Sequence, residues 1–212
     1  MVIDIGTDEQ INDHDRYLMR ERLLNLAENR GEHLYAVIDI ARDPFLLFAV
    51  LEGFGGDRQC LFRGQAREEL GDQTAWIVRI ERQAGLLDWL LDEGWNKRLV
   101  SFVVSPLLLS RLTTHLRKFT KIRDTEGVAH FFRFYDPQVL RQYLPVFGQR
   151  EHEMFFRSIS CCAIEDSRNG DRMLIGRSRE GRVEWETWRL KALPETSTSP
   201  GKPCLPPKAI SR

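Results

Sequence analysis

The sequence predicts an α/β fold, in which a parallel or mixed sheet is covered by helices and followed by a smaller antiparallel β lobe. Short apolar runs rich in β-branched residues alternate along the chain with segments whose apolar residues recur at helical spacing. Strand-like runs also end three times in an Asp-Pro or Ser-Pro pair. After Pro145, strand-like segments joined by turn residues predict the antiparallel lobe.

The bulk composition limits the class of protein. The chain has 212 residues, 42% of them hydrophobic, and 31 Lys and Arg balance 31 Asp and Glu. Without net charge, no overall field attracts nucleic acid or an anionic membrane. The most apolar stretch, residues 99–109, is too short to cross a bilayer and contains Ser105-Pro106. We therefore expect a cytoplasmic protein with no nucleic-acid partner and no membrane insertion.

The first elements are predicted from local signals. Asn12 is a good N-cap for a helix that Gly31 would end. The nearly continuous apolar run over residues 34–40 predicts a buried strand. Further strands are predicted at residues 59–62, 74–80 and 99–104, and helices at 65–70 and 86–93, the last ended by Gly94.

A capping side chain followed by proline recurs at Asp43-Pro44, Ser105-Pro106 and Asp136-Pro137. Proline at the first helical position costs no hydrogen bond, and its φ is already helical. The Asp or Ser before it can accept a bond from the first turn. Each pair therefore predicts a strand end followed by a helix start, and the strand before Asp136 is predicted over residues 128–135.

Three units are predicted along the chain. Residues 1–147 form the α/β lobe and residues 148–190 the antiparallel lobe. Residues 191–212, with five prolines and little apolar content, predict a disordered tail. In the antiparallel lobe, strands are predicted at 159–166, 172–178 and 182–190, with turns at Asn169-Gly170 and Glu180-Gly181.

No metal or cofactor site is predicted. Residues 152–156 begin like a zinc-protease helix, but Phe156 stands where the second ligand belongs. The five histidines are scattered, and His115 beside Leu112 and Leu116 suits a satisfied, partly buried histidine better than a ligand. The adjacent Cys161 and Cys162 cannot easily pair with each other, so reduced thiols are predicted.

A local basic cluster lies in the middle of the chain. We interpret it as a solvated helix face, because the interleaved aromatic residues that single-strand binders need are missing. Its members are Arg117, Lys118, Lys121 and Arg123.

Carboxylates at strand ends leave an enzymatic alternative open. Asp39, Asp43 and Asp136 follow predicted strands, at the edge where open α/β sheets bind ligands. Asp43 and Asp136 are already assigned as helix caps, and Asp39 alone makes no site. The alternative is a metal-dependent hydrolase in which Asp39 works with an acid from a neighbouring strand end.

A set of segments, taken in order, resembles a known family. The segments are residues 34–39, 41–44, 60–64, 86–95 and 132–140. Together they resemble the type VI secretion effector-adaptor chaperones, a bacterial family that includes the VasW-like and Tap-like adaptors and has long been labelled a domain of unknown function. The likeness covers about residues 34–157.

The resemblance implies a cytoplasmic adaptor that is not an enzyme. Such a protein binds a toxic effector, helps to load it onto the valine-glycine repeat spike protein and stays behind. The implied partners are the effector and possibly the spike; a purely structural component would bind the spike alone. The resemblance assigns structural roles to Asp39, Asp43, Pro44, Trp89, Trp95, Arg133, Tyr135, Asp136 and Pro137.

Two tryptophans are candidate anchors for the partner. Trp185 and Trp188 lie at positions that face opposite sides of the strand over residues 182–190, so one could stay poorly covered in a small lobe. A free strand edge could also accept a peptide as an added strand. The alternative is that both indoles pack between the lobes.

Overall fold

The computed structural model describes residues 12–70, 74–123, 126–166, 168 and 172–189. The helices are α1 Asp13–Glu28, α2 Pro44–Phe54, α3 Gln65–Leu70, α4 Leu86–Trp89, α5 Leu109–Leu116, α6 Pro137–Tyr143 and α7 Gln149–Phe156. The strands are β1 His33–Asp39, β2 Arg58–Cys60, β3 Ala75–Ile80, β4 Val100–Ser105, β5 Lys121–Arg123, β6 Ala129–Phe131, β7 Cys161–Glu165, β8 Arg172–Arg179 and β9 Arg182–Arg189.

A seven-stranded sheet in the order β2-β3-β1-β4-β7-β8-β9 forms the centre of the fold. The predicted combination of helices and sheet is confirmed, but the parallel pairing is wrong, because every pair in the sheet is antiparallel. Helix and strand alternation does not fix strand direction. β3 and β4, which are connected through α4, run the same way but flank β1 and oppose it.

The C-terminal strands continue this sheet. β7 pairs with β4, with Cys162 opposite Val103, and β8 and β9 follow as a meander. Their predicted antiparallel pairing is confirmed, in one sheet with β1–β4. Glu180 and Gly181 have φ values of 50° and 75°, as a tight hairpin turn requires. The predicted turn at Asn169-Gly170 and the predicted tail lie outside the described residues.

Helices cover both faces of the sheet. On one face, Arg22 of α1 pairs with Glu186 of β9 at 2.6 Å, and the Phe48 ring of α2 lies 6.4 Å from the Trp76 ring. On the other face, the turn before α6 is fixed by Ser101, whose Oγ donates to the Tyr135 carbonyl at 2.8 Å. α5 and α7 lie on this second side, where His115 contacts the Phe155 carbonyl. The apolar core therefore fills both layers.

The proline rule holds at two of its three sites. Asp43 Oδ1 accepts from the Leu46 N–H at 3.1 Å, and Asp136 Oδ1 accepts from the Gln138 N–H at 2.9 Å, so both cap helices as predicted. Ser105-Pro106 starts no helix, because Ser105 is the last residue of β4 and α5 begins at Leu109. The Ser105 hydroxyl instead donates to the Ser158 carbonyl at 2.6 Å and accepts from the Leu107 N–H at 3.1 Å.

Two further predictions need correction. The strand over residues 128–135 is reduced to β6, which pairs with β5 in a separate two-stranded sheet. Residues 132 and 133 lie in no strand, and the chain turns at Phe134 and Tyr135, whose rings are both buried. The helix from Leu86 continues beyond α4 as a π-helical turn, Leu90–Gly94, and Gly94 ends it as predicted.

No helix among the described residues combines the length and apolar character that a bilayer-spanning helix requires.

Candidate functional site

The two buried family-motif acids meet at the end of β1. Asp39 is the last residue of β1 and is 0% exposed, and Asp136, before α6, is 2% exposed. Arg42 lies between them in the 3-10 turn Ile40–Arg42. Its Nη2 lies 2.8 Å from Asp136 Oδ2 and its Nε lies 3.5 Å from Asp39 Oδ2. One guanidinium therefore serves both carboxylates.

Two more arginines complete this ionic cluster. Arg98 binds Asp136 in a bidentate manner, with Nε 3.2 Å from Oδ1 and Nη2 2.5 Å from Oδ2. Arg133 donates from Nη2 to Asp39 Oδ2. The arginine side chains are 31% to 44% exposed, whereas the carboxylates are buried. Removing either carboxylate would leave the guanidiniums around it without their buried counter-charge, which makes the cluster a strong constraint on the fold.

Tyr135 belongs to the same cluster. The guanidinium carbon of Arg133 lies 6.0 Å from the centre of the Tyr135 ring, within range of a cation–π contact. Burial and the nearby Asp39 carboxylate raise the pKa of Tyr135 to about 12. The phenol therefore stays neutral at physiological pH and acts as a packed aromatic surface beneath Arg133.

Glu165, the last residue of β7, holds the loop that carries Arg98. Its Oε1 accepts from the Arg98 N–H at 2.9 Å. Asn96 and Arg98 have φ values of 63° and 58°, in the left-handed region that non-glycine residues rarely adopt. Burial raises the pKa of Glu165 to about 7, although backbone donors from Arg98 and Asn96 act in the opposite direction. The carboxylate therefore supports a strained loop.

Sequence reasoning found part of this cluster. It named Asp39, Arg133, Tyr135 and Asp136 as family-motif residues, and the structure brings all four together. It missed the roles of Arg42, Arg98 and Glu165. Arg42 lies inside a motif segment, so its position was a usable signal. The other two residues, Arg98 and Glu165, reach the cluster through tertiary contacts that no local sequence pattern predicts.

The remaining motif residues lie elsewhere in the packing. Asp43 and Pro44 begin α2 at the surface, while Pro137 is buried at the start of α6. Trp95 is buried after the π-helical turn, and Trp89 is half-buried against the core.

Trp185 and Trp188 are half-buried and pack against the core. The strand register places them on opposite faces, as predicted, opposite Gly176 and Met173. A Cβ atom at Gly176 would lie 2.8 Å from the Trp185 ring, so glycine makes room for this indole. Their role in partner binding stays a prediction, and their packing indicates a contribution to the core.

The remaining candidate side chains, one histidine and three cysteines, are buried in the fold. His115 Nε2 lies 2.9 Å from the Phe155 carbonyl, as predicted for a satisfied histidine, and burial lowers its pKa. The thiols of Cys60, Cys161 and Cys162 are free and buried. Burial raises the pKa of Cys161 to about 11 and that of Cys162 to about 12, so both thiols stay protonated at neutral pH. Within the described ranges, no three His, Cys, Asp or Glu side chains are arranged to hold a metal ion.

The fold and the ionic cluster define an α/β protein whose sequence motifs meet around two buried acids. The family model described as "Domain of unknown function (DUF4123)" matches residues 34–153, which are 120 of the 212 residues. The chain therefore belongs to the DUF4123 family. No curated protein and no solved structure matched the chain.

Proposed function

We propose that this protein is a cytoplasmic adaptor chaperone that binds a type VI secretion effector and promotes its loading onto the valine-glycine repeat spike protein. Membership of the DUF4123 family and the resemblance of the ordered motifs to effector adaptors support this proposal. The observation that carries it in the structure is the surface of α2.

α2 is an apolar helix that remains largely uncovered. Its eleven residues include one charged residue, Glu52. A helix that is apolar on all sides is normally buried. Here Leu47 and Leu51 are buried, whereas Phe45 is 91% exposed and Leu46 is 49% exposed. An exposed apolar helix face of this kind is typical of a protein-binding surface.

The helix is held in a fixed orientation. Asp43 caps its first turn, and the Phe48 ring packs edge-on against Trp76. At the other end, Arg58 donates to the Leu51 carbonyl at 2.7 Å and pairs with Glu52. Because the backbone is fixed at both ends, Phe45 and Leu46 are presented without a large ordering cost on binding. We expect an apolar segment of the effector, such as one face of an amphipathic helix, to pack against them.

The test compares a paired substitution with a matched surface control. Phe45→Ser combined with Leu46→Ser removes the exposed apolar contacts, and Tyr17→Ser removes a 59% exposed aromatic residue from α1. Each tagged full-length variant is purified from the native cytoplasm, and co-purifying proteins are identified by mass spectrometry. We expect wild type and Tyr17→Ser to recover a toxin, and the α2 variant to recover at least about tenfold less. Equal recovery by all three would contradict the role of α2, and absence of any toxin from wild type would contradict the adaptor.

The hydrolase alternative retains one supporting observation. Asp39 now has a neighbouring acid in Asp136, and Asp39 Oδ1 is buried without a hydrogen-bond partner among the described residues. Arg42, Arg98 and Arg133 already supply positive charge where a cation would bind, which favours the adaptor. Thermal unfolding with added Mn²⁺ or Zn²⁺ separates the two proposals. A rise in Tm that Asp39→Asn abolishes would favour the hydrolase.

A further inference from the structure

We infer that the β5–β6 hairpin and three arginines beside it form a second docking surface, which takes an extended acidic segment of the effector. Its four cations are Lys121 on β5 and the neighbouring Arg63, Arg67 and Arg117. The inference rests on the proposed function and adds the chemistry of the segment that is bound.

The hairpin is exposed on both of its faces. Lys121 and Phe131 are opposite each other in the register, and Phe131 is 59% exposed. On the alternate face, Ile122 is 41% exposed, and Val128 just before β6 is 51% exposed. In the described part of the chain, neither strand pairs with the large sheet. A two-stranded ribbon is marginally stable by itself, and its outer edges can accept another strand.

Lys121 lies on the hairpin, and a ring contact joins the hairpin to the segment beside Arg63 and Arg117. Lys121 Nζ lies 5.3 Å from the centre of the Phe131 ring. The Phe131 ring lies 6.1 Å from Phe62, the residue before Arg63. Arg117 donates to the carbonyls of Leu61 and Cys60 at 3.0 and 2.9 Å. Phe131, Lys121 and Arg117 thus lie around the end of β2, and Arg63 and Arg67 are close enough to Arg117 to affect its charge, with Arg67 itself stacked 5.6 Å from the centre of the Trp76 ring.

This positive charge is not neutralised within the described structure. None of the four cations forms an ion pair with a described carboxylate, unlike the arginines of the ionic cluster. Burial lowers the pKa of Arg117, and the nearby guanidiniums of Arg63 and Arg67 lower it further. Cations held beside one another favour an anionic partner, which would relieve their repulsion.

The strand geometry selects an extended protein segment. Residues of an added strand alternate between two sides, so acidic side chains on one side could reach the cations while apolar residues contact the hairpin. A protein that binds single-stranded nucleic acid needs several exposed aromatic side chains in a row for base stacking. The described part of the hairpin offers Phe131 alone among Phe, Tyr and Trp, so an extended protein segment is favoured. The predicted solvated helix face is also wrong, since Lys121 and Arg123 lie on β5 and not on the helix that precedes Arg117.

The experiment uses a photocrosslinking amino acid, p-benzoylphenylalanine, in the full chain expressed in its native cytoplasm. It is placed at position 131 on the hairpin, position 45 on α2 and position 17 on α1. We expect crosslinks from position 131 to a toxin segment in which Asp and Glu exceed Lys and Arg, and none from position 17. A crosslink from 45 without one from 131 would overturn this inference and leave the adaptor intact. Crosslinks from neither position would contradict both proposals, and nucleic acid or lipid at 131 would overturn the inference.

A synthetic peptide with the crosslinked sequence gives the quantitative test. Its binding is measured by fluorescence anisotropy against wild type, a variant with Arg63→Glu and Lys121→Glu, and the surface control Arg179→Glu. We expect the double variant to bind at least tenfold more weakly and binding to wild type to weaken with added salt, because Arg63 and Lys121 are exposed. The control should bind as wild type does. Equal binding by the double variant would contradict the inference.

Discussion

Two helices of this protein start with the same dipeptide, Asp-Pro, and the two starts have different roles. At α2, Asp43 is exposed and its carboxylate bonds the Leu46 N–H. At α6, Asp136 is 2% exposed, and its carboxylate accepts hydrogen bonds from the Gln138 N–H and from the guanidiniums of Arg42 and Arg98. The same local device is a surface cap in one place and the centre of a buried ionic cluster in the other.

The comparison separates what a motif specifies from what its surroundings add. Capping depends on residues within one turn, so it follows from the dipeptide alone. The second role of Asp136 depends on Arg42 and Arg98, which lie 94 and 38 residues away along the chain. α2 then presents apolar side chains to solvent, whereas α6 begins with a buried proline. One start therefore leads to an exposed apolar helix face, and the other anchors the fold.

The largest effect is expected for Asp136→Ala. It leaves Arg42 and Arg98 without their buried carboxylate and removes a helix cap, so we expect a loss of about 3–5 kcal/mol in the free energy of unfolding. Urea unfolding measures this loss. If the variant does not fold, Asp136→Asn keeps the cap acceptor and removes only the charge. A loss below about 1 kcal/mol for both variants would mean that the cluster does not anchor the fold.

The next effect concerns the loop that carries Arg98. The pKa of Glu165 is raised from 4.5 to about 7, so between these pH values the unfolded chain loses the proton while the folded protein keeps it. Stability from this group therefore falls as pH rises from about 4.5 to 7, by on the order of 3 kcal/mol. Glu165→Gln keeps an acceptor without the charge and should be the more stable form at pH 8. Parallel stability curves for wild type and Glu165→Gln from pH 4.5 to 8 would contradict this assignment.

The smallest effect is expected at the exposed start. Asp43→Ala removes one capping bond at the surface, which costs about 1 kcal/mol. The same urea unfolding experiment measures it, beside Asp136→Ala. Equal losses at Asp43 and Asp136 would remove the distinction between the two helix starts.

The sequence predicted the local elements well, because their signals are local. The Asn12 cap, the apolar run of β1 and the two Asp-Pro starts each depend on neighbouring residues. Strand direction did not follow, because β3 and β4 are placed on either side of β1 by long-range pairing. Ser105 failed as a cap because its hydroxyl bonds Ser158, which lies 53 residues away.

The site was predicted unevenly for the same reason. Asp39, Arg133, Tyr135 and Asp136 were found through motif resemblance, which reports on residues that act together without showing how. Glu165 reaches the cluster through the backbone of Arg98, a contact with no local signature. The exposure of Phe45 was also unpredictable, since an apolar helix pattern predicts burial and does not reveal that the covering layer ends there.

The most direct test of the account is a binding titration of the co-purified effector against two variants, at a temperature where both are folded. Asp136→Asn disturbs the buried cluster, and Phe45→Ser changes the exposed face of α2. The account predicts that Asp136→Asn binds the effector with the Kd of wild type despite its lower Tm, and that Phe45→Ser binds at least about tenfold more weakly with an unchanged Tm. Loss of binding in Asp136→Asn together with full binding by Phe45→Ser would contradict it.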